Sequence, residues 1–239
     1  MKRYKFFFFA LLLLVFFFSG WYVFVQGGWT DELLQQQFMG EYLGIGAGYN
    51  WIFLHGSLYL AVELSLLLLL MPWLDVQYMT RMTRYEYWHR VLKKSGISAF
   101  SFCTIFCMVQ LLMVHIFVPI EILGGQVFYL VWFFFIIRLI LLYLYFNSVF
   151  MLIYSISGKV ETAFFTCLVS QIIILFCDFD MGVFDLTDSM KLYENFYGEG
   201  SLDLLSYFLD ICKQLIYIVL IYLISLSIFE KKDILYDKR

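Results

Sequence analysis

Long apolar stretches alternate with shorter polar segments along the chain. Six of these stretches approach or reach the length of about 20 residues that a helix needs to cross a hydrocarbon core. The fifth is the weakest, because it is short and could begin earlier, near Phe150, with a break at 155–158. The stretches cover residues 6–25, 51–71, 97–118, 127–145, 162–177 and 209–229. The pattern predicts an all-α polytopic membrane protein with about six transmembrane helices, forming a single transmembrane domain over 1–239.

The charged residues between the stretches alternate in sign. Basic residues dominate segments 1–5, 72–96, 159 and 230–239, whereas acidic residues dominate segments 26–50, 119–126 and 178–208. Every second segment is therefore basic, as expected for an even number of spans. Since basic loops stay on the cytoplasmic side of a membrane, we expect both termini and the loop between helices two and three to be cytoplasmic.

The amino-acid composition is typical of a chain that is embedded in a lipid bilayer. Of its 239 residues 63% are hydrophobic, 22% are aromatic and only 15% are charged. A soluble domain of this length could not cover so much apolar surface, but a lipid bilayer can solvate it. The formal net charge is −3, and no basic stripe points to a nucleic-acid partner.

The loop at 72–96 carries a helical pattern of its own. Apolar and aromatic side chains recur there at spacings of three, four or one, which places them on one side of a helix. They are Tyr78, Met82, Tyr85, Trp88, Val91 and Leu92. The pattern predicts a short cytoplasmic amphipathic helix between helices two and three. Such a helix either lies in anionic lipid or receives a cytoplasmic partner protein, and the loop alone does not separate the two.

The segment RMTRYEYW at 81–88 resembles the coupling-helix region of bacterial type-2 ABC exporter permeases. In that family an Arg-x-(Ser/Gly/Thr)-Arg pattern, followed by an aromatic residue, lies between spans two and three. The layout is similar too, with six helices, both termini inside and a polar outer segment before the last span. One departure is that many members begin with a cytoplasmic amphipathic helix, whereas only residues 1–5 precede the first span here.

The resemblance implies a permease subunit of an ATP-driven exporter in the bacterial cytoplasmic (cell) membrane. It would move a peptide, a lipid or a drug, and it would pair with a second permease chain, identical or related. A separate ATPase subunit would bring ATP and Mg, because this chain has no Gly-x-x-x-x-Gly-Lys-Ser/Thr loop. We therefore expect no enzymatic activity and no cofactor in the chain itself. The residues expected to contact the ATPase are Tyr78, Arg81, Arg84, Tyr85, Trp88 and Arg90.

Two charged residues fall inside the apolar stretches. Glu63 lies near the middle of the second and Arg138 near the middle of the fourth. A lone charge at that depth costs roughly 2.5–3.5 kcal/mol on insertion scales, so both should face protein or water. Because their depths match, we expect them to pair, either as a structural ion pair that fixes helix register or as a polar lining for a substrate path.

Other polar residues carry weaker signals. Gln110 and His115, on the third stretch, are candidates for lining a pathway. A metal site is not expected, because Cys103 and Cys107 share a helix face without a histidine or a second cysteine pair. An intramembrane enzyme is disfavoured, since His-Glu-x-x-His and Gly-x-Ser-x-Gly are absent. The alternative to an exporter is a membrane protein independent of an ATPase, such as a channel or a self-immunity protein against a bacteriocin or another membrane-active peptide.

Overall fold

The fold is a bundle of α-helices. The structure is a computed structural model that describes residues 3–25, 43, 48–71, 84–117, 126–181, 190–193, 195 and 204–231. Within these ranges the chain is helical and contains no strand. The helices are α1 (Arg3–Val25), α2 (Ile52–Gly56), α3 (Leu58–Leu70), α4 (Arg84–Phe117), α5 (Gln126–Ser157), α6 (Val160–Met181) and α7 (Leu204–Lys231).

Five helical segments of the described chain are long and apolar enough to cross a membrane. These are Ile52–Leu70, Tyr85–Ile116, Val127–Ser157, Val160–Asp178 and Leu204–Lys231. A further apolar stretch, Phe8–Val23, lies within α1. The prediction of an all-α, multi-pass membrane protein is confirmed.

Two helices are longer than their apolar stretches. Helix α4, which contains the third predicted span, begins at Arg84 instead of residue 97. Helix α5, which contains the fourth, ends at Ser157 instead of residue 145. With 34 and 32 residues, α4 and α5 are about 51 and 48 Å long, well beyond a hydrocarbon core of roughly 30 Å. The break expected at 155–158 is present, because Gly158 adopts a φ of 70° after the last residue of α5. Residues 146–157 therefore belong to the fourth helix, not the fifth.

The central helix of the bundle is α5, which contacts α3, α4, α6 and α7. Beside it an aromatic core joins α1, α3 and α4. Phe17 meets Phe106 edge to face at 5.3 Å between ring centres, and Tyr49 stacks on Phe106 at 4.4 Å. Such ring pairs add to the energy of apolar burial. They hold α1 against the remainder of the bundle.

Successive spans run in opposite directions, so the bundle has two distinct ends. Trp88, near the start of α4, stacks on Phe229, near the end of α7. His115 and Tyr129 join the end of α4 to the start of α5 on the other side. We call the end that carries Trp88 and Phe229 the basic end, and the other the opposite end. The positive-inside rule predicts that the basic end faces the cytoplasm.

Candidate functional site

The first turns of α4 are fixed to the last turns of α7 by aromatic stacking. The ring of Phe229 lies 5.6 Å from that of Tyr87, with an interplanar angle of 13°, and 4.7 Å from that of Trp88. All three side chains are buried. We call these three residues the aromatic clamp. It ties α4 to α7 at the basic end.

The other face of the same turns is open. Tyr85 is 53% exposed, and His89, Arg90 and Lys93 are exposed with it. The Tyr85 hydroxyl lies 2.9 Å from His89 Nε2, one helical turn away. This face therefore presents two cationic side chains, the carboxylate of Glu86 one helical turn before Arg90, and an aromatic hydroxyl, and its net charge is positive.

The structure corrects the prediction of a separate amphipathic helix between the second and third spans. Residues 84–94 are the first turns of α4 and continue into the span without a break. Ser95 and Ser98 are buried where α4 meets α5, and Asn147 Nδ2 of α5 lies 3.5 Å from the Ser95 carbonyl oxygen. Of the residues expected to contact an ATPase, Tyr78 and Arg81 lie outside the described residues, and Arg84 is the first residue of α4. Trp88 is buried in the aromatic clamp, whereas Tyr85 and Arg90 lie on the open face.

Glu63 is part of a buried polar cluster where α3, α4 and α5 meet. Asn147 Nδ2 donates a hydrogen bond of 3.0 Å to Glu63 Oε1 and lies 3.5 Å from the Ser95 carbonyl oxygen. Ser98 lies beside the same carboxyl group. None of the four side chains is more than 4% exposed. We call Glu63, Ser95, Ser98 and Asn147 the Glu63 cluster.

The structure does not bring Glu63 and Arg138 together. The partner of Glu63 on α5 is Asn147, which lies about 14 Å along the helix axis from Arg138. Arg138 instead faces α7 near the opposite end, with its guanidinium carbon 5.8 Å from the centre of the Tyr207 ring. Asp210, one turn further along α7, attracts the guanidinium electrostatically and forms an ion pair of 3.4 Å with Lys213. The depths were misjudged because the fourth helix extends beyond its apolar stretch.

A second buried polar pair was not predicted from the sequence. His55 Nδ1 lies 2.9 Å from the Tyr143 hydroxyl, and neither side chain is exposed. Tyr143 and Asn147 are one helical turn apart on α5, so one face of α5 supplies the partner of both His55 and Glu63. The four-residue spacing of the two polar residues was the available signal, but the predicted span ended at 145 and left Asn147 outside it.

Gln110 and His115 occupy different surroundings. Gln110 is buried, and its amide atoms have no hydrogen-bond partner among the described residues. His115 is exposed at the opposite end and lies 2.8 Å from both the Leu111 carbonyl oxygen and the Tyr129 hydroxyl. Because a carbonyl only accepts, Nδ1 carries the proton and a neutral ring accepts from Tyr129 at Nε2. A role in a pathway stays a prediction for both residues.

A small cavity lies between the Glu63 cluster and the basic end. Ser95 and Asn147 line it on one side, and Trp88 and Tyr222 line it on the other. Tyr222 in turn lies 3.5 Å from Nδ1 of the exposed His89. Polar groups thus connect the surface of the basic end with the interior. Among the described residues, no group of three His, Cys, Asp or Glu side chains is placed to hold a metal ion.

Comparison with known proteins adds no relative. No protein-family model matches the chain, and neither the curated proteins nor the solved structures compared with it show a significant match. The comparisons therefore assign no family to the chain. Its long apolar helices place it among the multi-pass α-helical membrane proteins.

Proposed function

We propose that this chain is the membrane-spanning subunit of an ATP-driven exporter and that a separate cytoplasmic ATPase subunit binds residues 84–94. One observation carries the proposal. The open face at Tyr85, Arg90 and Lys93 lies on a helix that is clamped to α7 and continues into a membrane span. A second permease chain and an amphipathic cargo, a peptide, lipid or drug, belong to the proposal through the resemblance at 81–88.

Continuity of α4 supports a mechanical role. Its 34 residues form one hydrogen-bonded helix, so a displacement of residues 84–94 moves the span as well. Along its length α4 contacts α1, α3 and α5, and the aromatic clamp adds α7. Closure of an ATPase against these turns would therefore be transmitted to most of the bundle.

The charge of the open face suits an acidic cleft on a protein partner. Arg90 and Lys93 provide long-range attraction, and Tyr85 provides a rigid side chain of the type that is enriched in protein interfaces. Anionic lipid headgroups would attract the same cations. An experiment on this face must therefore separate a protein partner from lipid.

Site-specific crosslinking makes that separation. A photoreactive phenylalanine analogue replaces Tyr85 in the cell that makes the protein, and the adduct is identified by mass spectrometry. We expect a crosslink to a cytoplasmic polypeptide that contains the nucleotide-binding loop Gly-x-x-x-x-Gly-Lys-Ser/Thr, and we expect Arg90→Glu with Lys93→Glu to reduce its yield at least severalfold. The matched control is Tyr129, 43% exposed at the opposite end, which should give no such adduct. Adducts with lipid alone, or with a protein lacking a nucleotide-binding loop, would contradict the proposal.

A further inference from the structure

The carboxyl group of Glu63 is buried with incomplete hydrogen bonding. The side chain is 0% exposed, and Oε1 accepts a hydrogen bond from Asn147. Oε2 has no hydrogen-bond partner among the described residues. An ionised carboxylate normally accepts several hydrogen bonds, so this environment favours the neutral acid.

No cation compensates a charge on Glu63 within the described part of the chain. The titratable groups that face it are Cys103 of α4, Tyr143 of α5 and Cys167 of α6, and all are neutral when protonated. Ser98 and Asn147, the polar groups beside the carboxyl, are uncharged as well. A buried carboxylate without a countercharge is strongly unfavourable, whereas addition of one proton converts it into a neutral acid.

Acceptors for that proton lie next to the carboxyl group. Asn147 Oδ1 belongs to the amide that already binds Oε1, and Ser98 Oγ lies on the neighbouring helix. Asn147 Oδ1 has no hydrogen-bond partner in the described residues, and the Ser98 hydroxyl can donate to the carboxylate or accept from the acid. If Oε2 of Glu63 carries the proton, its hydroxyl group can donate a hydrogen bond to Asn147 Oδ1 or to Ser98 Oγ.

A small cavity lies beside Asn147, the hydrogen-bond partner of Glu63, in the direction of the basic end. Asn147 lines the cavity on the side of Glu63, and Tyr222 lines it on the side of the surface. His89, which is exposed, lies 3.5 Å from the Tyr222 hydroxyl and 2.9 Å from the Tyr85 hydroxyl. An imidazole ring and a hydroxyl group can each accept one proton and release another, so these groups can pass a proton between the surface and the cavity.

We propose that Glu63 is a proton-binding site within the membrane, loaded from the basic end through the cavity between Asn147 and Tyr222. The step is addition of one proton to the carboxylate, and no other bond changes. In the protonated form α3 packs dry against α4 and α5. Loss of the proton leaves a charge that must be hydrated or paired, which favours separation of α3 from α5. The site would make the bundle responsive to protons whether or not an ATPase binds 84–94.

Carbodiimide labelling tests the proposal on the full chain in lipid nanodiscs. Dicyclohexylcarbodiimide is apolar and reacts with protonated carboxyl groups, and mass spectrometry locates the adduct. Because the reagent needs the protonated carboxyl group, we expect Glu63 to be labelled at the acidic end of a series from about pH 5 to pH 9 and to lose labelling as the pH rises. The control is Glu161, exposed at the start of α6, which the apolar reagent should label much less than the buried Glu63. Absence of Glu63 labelling, or labelling of Glu63 that does not change with pH, would overturn the proposal.

Two further arms identify the ligand and the route. Asn147→Leu removes the donor to Oε1 that stabilises the ionised form, whereas Ser98 can still accept from the acid, so the labelling midpoint should rise by about one pH unit. Sodium ions added at constant pH should leave the labelling unchanged, and protection by sodium would overturn the assignment of the proton as ligand. Tyr222→Leu should leave the midpoint unchanged and slow deuterium exchange at the Glu63 carboxyl, followed by infrared spectroscopy. An unchanged exchange rate would contradict the route.

Discussion

At the scale of single residues, α5 supplies the polar partners of the interior. Tyr143 binds His55 and Asn147 binds Glu63, from positions one helical turn apart. A buried polar group that loses its partner carries the full cost of its desolvation. The two pairs therefore define how α2 and α3 sit against α5 more specifically than the surrounding apolar contacts do.

Tyr143→Phe tests the first pair. Loss of the hydroxyl leaves His55 Nδ1 without its partner, so we expect the free energy of unfolding to fall by about 1–3 kcal/mol. Tyr217→Phe, on an exposed face of α7, is the control and should have little effect. Denaturant titration in detergent measures both. In the double variant Tyr143→Phe with His55→Leu, the effect should be smaller than the sum of the single effects, and simple additivity would mean that the pair does not interact.

At the scale of elements, close helix contacts decide which glycines are replaceable. Gly56, the last residue of α2, faces Leu175 of α6, and a Cβ added there would overlap the leucine side chain. Gly96, inside α4, has no neighbouring atom within 4 Å of such a Cβ. The same substitution therefore has opposite consequences at the two positions.

Gly56→Ala should destabilise the protein by about 1–3 kcal/mol, because Leu175 is fully buried and must move. Gly96→Ala should stabilise it by about 1 kcal/mol, the difference in helix propensity between the two residues. Thermal unfolding in one detergent compares the two variants. Equal shifts in the same direction would mean that α2 does not approach α6 as described.

The aromatic clamp makes a prediction about motion of elements. Trp88→Ala removes a fully buried ring between α4 and α7, so we expect the two helix ends to separate more often. Spin labels at Arg90→Cys and Lys231→Cys should then report a broader distance distribution. Tyr85→Ala, on the open face of the same turns, is the control and should leave the distribution narrow. If the aromatic clamp does not hold the two helix ends together, the spin-labelled parent protein, Trp88→Ala and Tyr85→Ala should all give the same distance distribution.

The helix ends show where sequence reasoning succeeds and where it stops. Apolar length located the spans, because burial in lipid is an average property of many residues. It missed the first turns of α4 and the last turns of α5, because Ser95 and Asn147 lower the local hydropathy although both are buried. Equal positions within two apolar stretches also predict a pair between Glu63 and Arg138, but the two residues lie at different depths because α5 extends beyond its apolar stretch. Which helix faces which depends on packing, and a pattern along one chain does not encode it directly.

At the scale of the whole molecule, the basic end and the polar interior are close to each other. Residues 84–94 form the first turns of a continuous helix, and a cavity lined by Trp88, Ser95 and Asn147 lies between these turns and Glu63. The proposed ATPase contact requires the basic end to face the cytoplasm, and the proposed proton site would then be loaded from that side. The alternation of charged segments predicts this orientation.

Cysteine labelling of intact cells tests that orientation most directly. All five native cysteines are replaced, and Lys93→Cys, at the basic end, is compared with Leu204→Cys, at the opposite end. A membrane-impermeant maleimide added to intact cells should modify Leu204→Cys and spare Lys93→Cys until the membrane is permeabilised. Modification of Lys93→Cys in intact cells would place residues 84–94 outside the cell and contradict the proposed contact with a cytoplasmic ATPase.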